Sequence, residues 1–148
     1  MAAIRPARAV DLQAIEAIVR EAYAIYVPRI GKEPAPMKAD YAGLVETGRA
    51  AVLEDESGVA GVVTFWEKAD HMYLDAVAVA ESARGKGYGK ALIEHVEAAA
   101  RAAGLPEVRL YTNARMTENV AMYPRLGYRE THRAHDEGYD RVFYVKAV

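Results

Sequence analysis

No stretch of the chain narrows its possible architectures as far as Met72 to Ala103. Met72 to Ala80 reads as a strand. Tyr88, Ala91, Leu92, His95, Val96, Ala99 and Ala103 then recur at helical spacing, and Gly104 and Pro106 close that helix. Between the two lies Glu81-Ser-Ala-Arg-Gly-Lys-Gly-Tyr-Gly-Lys90. Gly85, Gly87 and Gly89 leave main-chain N–H groups uncovered where a helix begins, and a helix N-terminus attracts anions through its orphan donors and its dipole. Arg84, Lys86 and Lys90 add positive charge, so the loop reads as a phosphate or pyrophosphate pocket rather than a plain turn. It is not a nucleotide-hydrolysing loop, because Arg84 and Ala91 stand where that motif needs Gly and Ser or Thr. A dinucleotide fingerprint counted from Gly85 fails at Lys90, where Gly or Ala is required. Glu107 to Thr112 is the next strand. Strand, helix and strand make a βαβ unit with parallel strands, and ligands bind at the carboxyl ends of such strands, where the glycine loop lies.

The rest of the chain dresses this unit. Ile4 to Arg8 is a strand that Pro6 confines to an edge. From Asp11 as N-cap, Leu12, Ile15, Ile18, Val19, Ala22, Tyr23 and Tyr26 form one apolar helical stripe ending before Pro28. Pro28, Pro34 and Pro36 exclude regular structure from 27–37 but stiffen it into an ordered loop of the kind that shapes sites. Met37, Tyr41, Leu44 and Val45 predict a second helix. Arg49 to Asp55 and Val59 to Lys68 are strands joined at Asp55-Glu-Ser-Gly58. On strand 72–80, alternation puts Tyr73, Asp75, Val77 and Val79 on one face unless a bulge intervenes. A further helix starts at Thr117 or Glu118, and Pro124 should bend or end it at Tyr123. Tyr128 to His135 and Arg141 to Ala147 form a closing hairpin. His95 reads as a packing residue, and His132 and His135 point to opposite strand faces, so no metal site is expected.

Composition excludes several classes of function. At 148 residues the chain reads as one domain, 1–148, and its net charge of −2, with acids and bases mixed, favours neither nucleic acid nor an anionic membrane. There is no cysteine, which removes disulfides, thiolate zinc sites and any covalent enzyme-thiol intermediate. No run approaches the ~20 apolar residues of a membrane span, so a soluble cytoplasmic protein is the expectation.

The segment Leu74-Asp-Ala-Val-Ala-Val-Ala-Glu-Ser-Ala-Arg-Gly-Lys-Gly-Tyr-Gly-Lys-Ala-Leu-Ile93, followed by Leu110-Tyr-Thr-Asn-Ala-Arg-Met-Thr-Glu-Asn-Val-Ala-Met-Tyr-Pro-Arg-Leu-Gly-Tyr128, resembles the GCN5-related N-acetyltransferase (GNAT) family. Arg84-x-x-Gly87-x-Gly89 matches that family's acetyl-CoA pyrophosphate loop, and Tyr123, with Gly127 and Tyr128 behind it, matches its second signature. The resemblance implies an α/β GNAT fold: a central mixed, mostly antiparallel sheet flanked by helices on both faces, with two parallel strands splayed at the acetyl-CoA site. It implies that Arg84, Gly85, Lys86, Gly87, Tyr88 and Gly89 hold the pyrophosphate and that the backbone of Val77, Ala78 and Val79 pairs with the pantetheine arm. Asn119 would hydrogen-bond the coenzyme and Tyr123 would face the departing sulfur. The family often has Asn where this chain has Met116, which bears on Asn119. Tyr26, Arg29 and Lys32 fall in the segment that shapes the acceptor pocket, and many members form homodimers through their C-terminal strands.

Chemistry tests these roles. A thiol near pKa ~8.5 and a phenol near ~10 make full proton transfer from Tyr123 to a thiolate uphill by about 2 kcal/mol, so Tyr123 suits a hydrogen-bond donor that completes transfer as product forms. A lysine-like amine is neutral at pH 7 in only about one molecule in 2,500, so a proton must be removed. Asp75, where family members carry an acidic base, would need burial to raise its pKa or a water relay. Glu67 and solvent are the alternatives. The expected reaction is direct acetyl transfer from acetyl-CoA to a primary amine through a ternary complex and a tetrahedral intermediate. A small amino-acid-like acceptor comes first and a protein or peptide amine second. A non-catalytic acyl-CoA sensor is the competing class.

Overall fold

The computed structural model describes residues 2–148. Seven strands form one sheet in the order β1-β2-β3-β4-β5-β7-β6. They are β1 (Ala3–Pro6), β2 (Ala50–Asp55), β3 (Gly58–Glu67), β4 (Met72–Val79), β5 (Glu107–Asn113), β6 (Arg129–Asp136) and β7 (Tyr139–Ala147). The helices are α1 (Leu12–Tyr23), α2 (Val27–Ile30), α3 (Tyr41–Glu46), α4 (Tyr88–Ala102) and α5 (Thr117–Arg125). Every strand pair is antiparallel except β4 with β5. Pro6 sits on the edge strand β1, where its missing N–H is harmless.

Two apolar clusters cover the two faces. Leu92, Ile93, Val96 and Ala100 of α4 pack with Leu53, Val63, Leu74, Val108 and Val142 on one face. Ile15, Ile18, Val19 and Tyr23 of α1 pack with Val52, Val62 and Ala78 on the other. His95 joins the first layer, its ring edge-on to Phe65 at 5.8 Å.

Four local expectations are corrected. Regular structure does enter 27–37: α2 takes Pro28 into its first turn, where a proline's missing N–H has no intrahelical role, and Ala35–Lys38 form a 3₁₀ turn. Asp11 stands at the N-cap position of α1, as expected, but its side chain makes no capping bond there. Its carboxylate accepts the Arg8 N–H at 2.7 Å and two hydrogen bonds from Arg5 at 2.8 and 3.0 Å. Helix α5 runs through Tyr123 and Pro124 to Arg125. Pro124 cannot donate to Val120 O, and the Tyr144 hydroxyl does so instead at 3.2 Å.

The fourth correction concerns β4. Thr64 pairs with Ala76 but Phe65 pairs with Leu74, so Asp75 is the extra residue of a bulge. The bulge reverses the alternation. Met72 and Leu74 before it and Val77 and Val79 after it all belong to the α4 side, and Ala78 belongs to the α1 side. Tyr73, Asp75, Val77 and Val79 therefore do not share a face.

Candidate active site

The parallel pair opens where a ligand would need it. β4 and β5 pair only at Met72 with Val108 and Tyr73 with Arg109, although both strands continue for several residues. Ala80 N–H donates to Ala60 O at 2.8 Å, so by antiparallel alternation Ala78 and Ala76 also point their main-chain groups at β3. Val77 and Val79 point theirs at the gap. Of the three residues expected to pair with a pantetheine arm, these two present free edges, and Ala78 contributes its position only. The Tyr23 hydroxyl already donates to Val77 O at 2.9 Å.

At the end of β4 the chain turns through Glu81–Ala83 into the glycine loop. Gly85 (φ +83°) and Gly87 (φ +79°) are left-handed, which residues with a Cβ rarely tolerate. Gly87 caps α4, whose first main-chain bond is Ala91 N–H to Gly87 O at 3.0 Å. The N–H groups of Gly85 to Lys90 therefore make no main-chain hydrogen bond among the described residues, and they gather at the positive end of a four-turn helix. Side chains divide the labour. Arg84 and Gly89 line the groove beside Val77–Val79. Tyr88 and Lys86 turn to the β2–β3 hairpin, where the Tyr88 hydroxyl donates to Asp55 at 2.8 Å and Lys86 Nζ lies 3.9 Å from the same oxygen. These two brace the loop and offer it their backbone.

Two depressions meet here. The groove, of ≈ 390 Å³, runs along Val77, Ala78, Val79, Arg84 and Gly89 and is walled by Tyr26, Ile93, Glu118, Asn119 and Met122. A smaller cavity of ≈ 90 Å³ lies beyond it, lined by Asp75, Tyr111, Asn113, Tyr123, Tyr139 and Arg141 among others. Tyr23, Val77 and Asn119 line both. Groove and cavity are thus neighbours that share part of their walls, between the glycine loop and Asp75.

Asp75 and Tyr123, the residues expected to act as base and acid, both line the cavity. Burial raises the Asp75 carboxyl, opposed by a 2.9 Å hydrogen bond from the Thr64 hydroxyl. Tyr123 is 3 % exposed, packed between Tyr128 and Tyr144 with both ring centroids at 5.7 Å. Burial pushes its phenol well up, with Tyr144 adding to the effect. Its hydroxyl has no hydrogen-bond partner among the described residues, which leaves it free for a ligand. Glu67, the other acid weighed as base, is exposed at the far end of β3 and lines neither depression. Asn119 Nδ2 approaches Thr112 Oγ1 at 3.4 Å and Met116 Sδ at 3.6 Å, so the methionine in the place of the usual asparagine is one of its neighbours.

Tyr26, Arg29 and Lys32 are not brought into the small cavity. Tyr26 walls the groove, its ring 6.3 Å from that of Tyr23. Arg29 makes a bidentate pair with Glu118 at 2.7 and 3.0 Å, bridging α2 to α5. Lys32 Nζ lies 4.3 Å over the Tyr139 ring. Sequence reasoning missed Asn113 and Arg141, which face each other across β5 and β7. The available signal was a charged residue in phase with Tyr139 and Phe143 on a strand.

Similarity to known proteins agrees with this geometry. The model of the acetyltransferase (GNAT) family matches residues 12–128. The chain belongs to the GNAT acetyltransferase family. No curated protein matches it in sequence. Among solved structures, the ribosomal-protein-S18-alanine N-acetyltransferase of Escherichia coli superposes with a TM-score of 0.80 at 20 % identity, over 100 % of this chain and 94 % of that one. The PaiA N-acetyltransferase of Thermoplasma acidophilum, in complex with coenzyme A, gives 0.82 at 16 %, over 100 % and 99 %. N-acetylglutamate synthase of Neisseria gonorrhoeae, complexed with coenzyme A and N-acetyl-glutamate, gives 0.73 at 19 %, over 99 % of this GNAT chain and 35 % of the synthase. At these identities the likeness is one of fold. The GNAT glycine loop, the splayed strands and the adjoining groove fit coenzyme A: unpaired N–H groups would meet its pyrophosphate, and the outward edge of β4 would meet its amide-bearing arm.

Proposed function

We propose that this GNAT protein transfers an acetyl group from acetyl-CoA directly to the primary amine of a small acceptor. The observation that carries this reading is the meeting of groove and cavity at Tyr23, Val77 and Asn119, with Asp75 and Tyr123 both lining the cavity just beyond. Acetyl-CoA supplies an activated thioester carbonyl for the amine to attack. In this reading the N–H groups of Gly85 to Lys90 and the Arg84 guanidinium bind the pyrophosphate. The outward edges of Val77 and Val79 align the arm, and Asn119 offers its amide at the junction. Asp75 accepts the amine's proton, directly or through a water, and its raised pKa makes it a better base than an exposed aspartate. Tyr123 donates a hydrogen bond to the leaving sulfur, and its own raised pKa keeps the proton on oxygen, so its part is that of a hydrogen-bond donor.

The fold alone does not choose the acceptor, since the neighbours named above include enzymes described by a protein alanine and by an amino acid. The rim favours a small molecule over a peptide. The Tyr139 hydroxyl donates to Glu33 O at 2.6 Å and Lys32 packs on the Tyr139 ring, tying the 27–38 segment to the β6–β7 hairpin across the cavity mouth. Homodimerisation is a further part of the reading: β6 is an edge strand whose eight residues are all exposed, open to pairing with a second copy. Sizing at two concentrations tests it.

The deciding experiment measures coenzyme A release from acetyl-CoA across amino acids, polyamines, aminoglycosides and short peptides, with coenzyme binding followed calorimetrically. Binding with acceptor-dependent release is the expected result. Binding with no release from any acceptor supports a sensor instead, and absence of binding overturns the assignment of the glycine loop.

A further inference from the structure

Arg141 is the second charged side chain lining the small cavity, opposite in sign to Asp75. Its side chain is only 5 % exposed, unusual for an arginine without a ligand-sized reason to be inside. The guanidinium lies 4.2 Å over the Tyr111 ring and 5.8 Å from that of Tyr139, which fixes its plane. Nη1 donates to Asp136 at 2.8 Å, and Nη2 is 3.8 Å from Glu137. Both acids are more than half exposed on the hairpin turn, and neither lines the cavity. One of the guanidinium's five N–H groups is thus used in a hydrogen bond.

Asn113, directly opposite on β5, adds to this. Its Oδ1 accepts the Arg115 N–H at 2.8 Å, which fixes the orientation of the carboxamide because a main-chain N–H only donates. Its NH₂ group has no hydrogen-bond partner among the described residues, and the residue lines the same cavity. A planar guanidinium beside an amide donor is the pattern that recognises a planar carboxylate. The remaining lining is Tyr, Pro, Ala, Val, Thr, Met and Asn119, with no further charge.

We propose that Arg141, assisted by Asn113, binds a carboxylate of the acceptor, so that the substrate is a small zwitterionic amine, an amino acid or its close analogue, held between Arg141 and Asp75. This rests on the transferase reading given above. An amine without an acidic group gives no acceptor to the guanidinium N–H groups that Asp136 does not use, and discrimination of that kind is strong.

The test compares matched pairs, each an α-amino acid and its α-amide, as acceptors for the wild-type enzyme and for Arg141→Met and Arg141→Lys. An α-amide has the less basic and hence more often neutral amine, so without recognition of the carboxylate it is the better acceptor. The expected result is a kcat/KM for the acid above that of the amide by roughly 10- to 100-fold, the range of a charge-assisted hydrogen-bond pair. The preference disappears in Arg141→Met and is partly kept in Arg141→Lys, with acetyl-CoA affinity unchanged in both. Equal or better use of amides by the wild-type enzyme overturns the proposal and leaves acetyl transfer standing. Release from neither acid nor amide, with acetyl-CoA still bound, counts against the transferase reading. In that case calorimetry of the amino acids on the coenzyme A-loaded protein decides the Arg141 site: binding lost in Arg141→Met supports it, and no binding to the wild-type protein overturns it.

Discussion

Burial raises the Asp75 carboxyl, and only the hydroxyl of Thr64 works the other way. The sign has two consequences. As a base Asp75 must be ionised, so kcat/KM should climb with pH along an acid limb displaced above the ordinary aspartate range, and Asp75→Asn should remove most of the rate by roughly 10²- to 10⁴-fold. For stability, a carboxyl whose folded pKa exceeds the unfolded ~3.9 favours the folded state fully only below that value, and the benefit is lost as pH rises through the folded pKa. At pH 7 the ionised group is a burden. Asp75→Asn should therefore melt at a higher temperature than wild type while turning over more slowly; a lower melting temperature would mean that the charge has a compensating partner in solution. Tyr123→Phe isolates the other half of the chemistry. It removes a hydroxyl with no hydrogen-bond partner among the described residues, so stability should hardly change, calorimetric coenzyme affinity should stay, and kcat should fall by roughly 10²- to 10⁴-fold.

Helix α5 owes its length to a side chain from another element. Pro124 leaves Val120 O without its helical donor, and Tyr144 of β7 fills the vacancy from a position that is 2 % exposed. Tyr144→Phe keeps the ring and removes only that bond, so the denaturation midpoint should reflect a loss of about 1 kcal/mol. Turnover should fall as well, because the Tyr123 ring rests against that of Tyr144. The same example marks what sequence could reveal. The glycine loop was legible because strand end, left-handed glycines and helix start are contiguous in the chain. Proline's effect on α5 was read from local rules, and the remedy comes from Tyr144, 24 residues beyond the Val120 carbonyl it satisfies. The Asp75 bulge was likewise open to sequence only as a condition, since it exists in the register between β3 and β4 and not in either strand. Arg141 was passed over because its burial depends on Tyr111 of another strand.

Across the molecule, α2 is tied to α5 by a pair of residues 89 apart, Arg29 and Glu118, of which Glu118 lines the groove. Each is substantially exposed, so water and salt screen the attraction. Arg29 holds the Glu118 carboxyl far down, at about 2, so the bridge stays intact across the physiological range. Arg29→Ala should leave the melting temperature close to wild type. Its effect should fall on coenzyme dissociation, which should quicken, and which in the wild type should quicken with added salt; stopped-flow release of coenzyme A reads both. The cavity beyond the groove is closed differently. Around Asp75, Ala76 and Val77, its walls come from 23–39 on one side and from 111–141 on the other, joined by Tyr139 and Glu33. A ribosome delivers these two walls far apart in time. The strand, glycine loop and helix are all translated before the hairpin that completes the chamber, and β7, set between β5 and β6 with Val142 and Tyr144 in the core, must arrive before either the sheet or the chamber is whole.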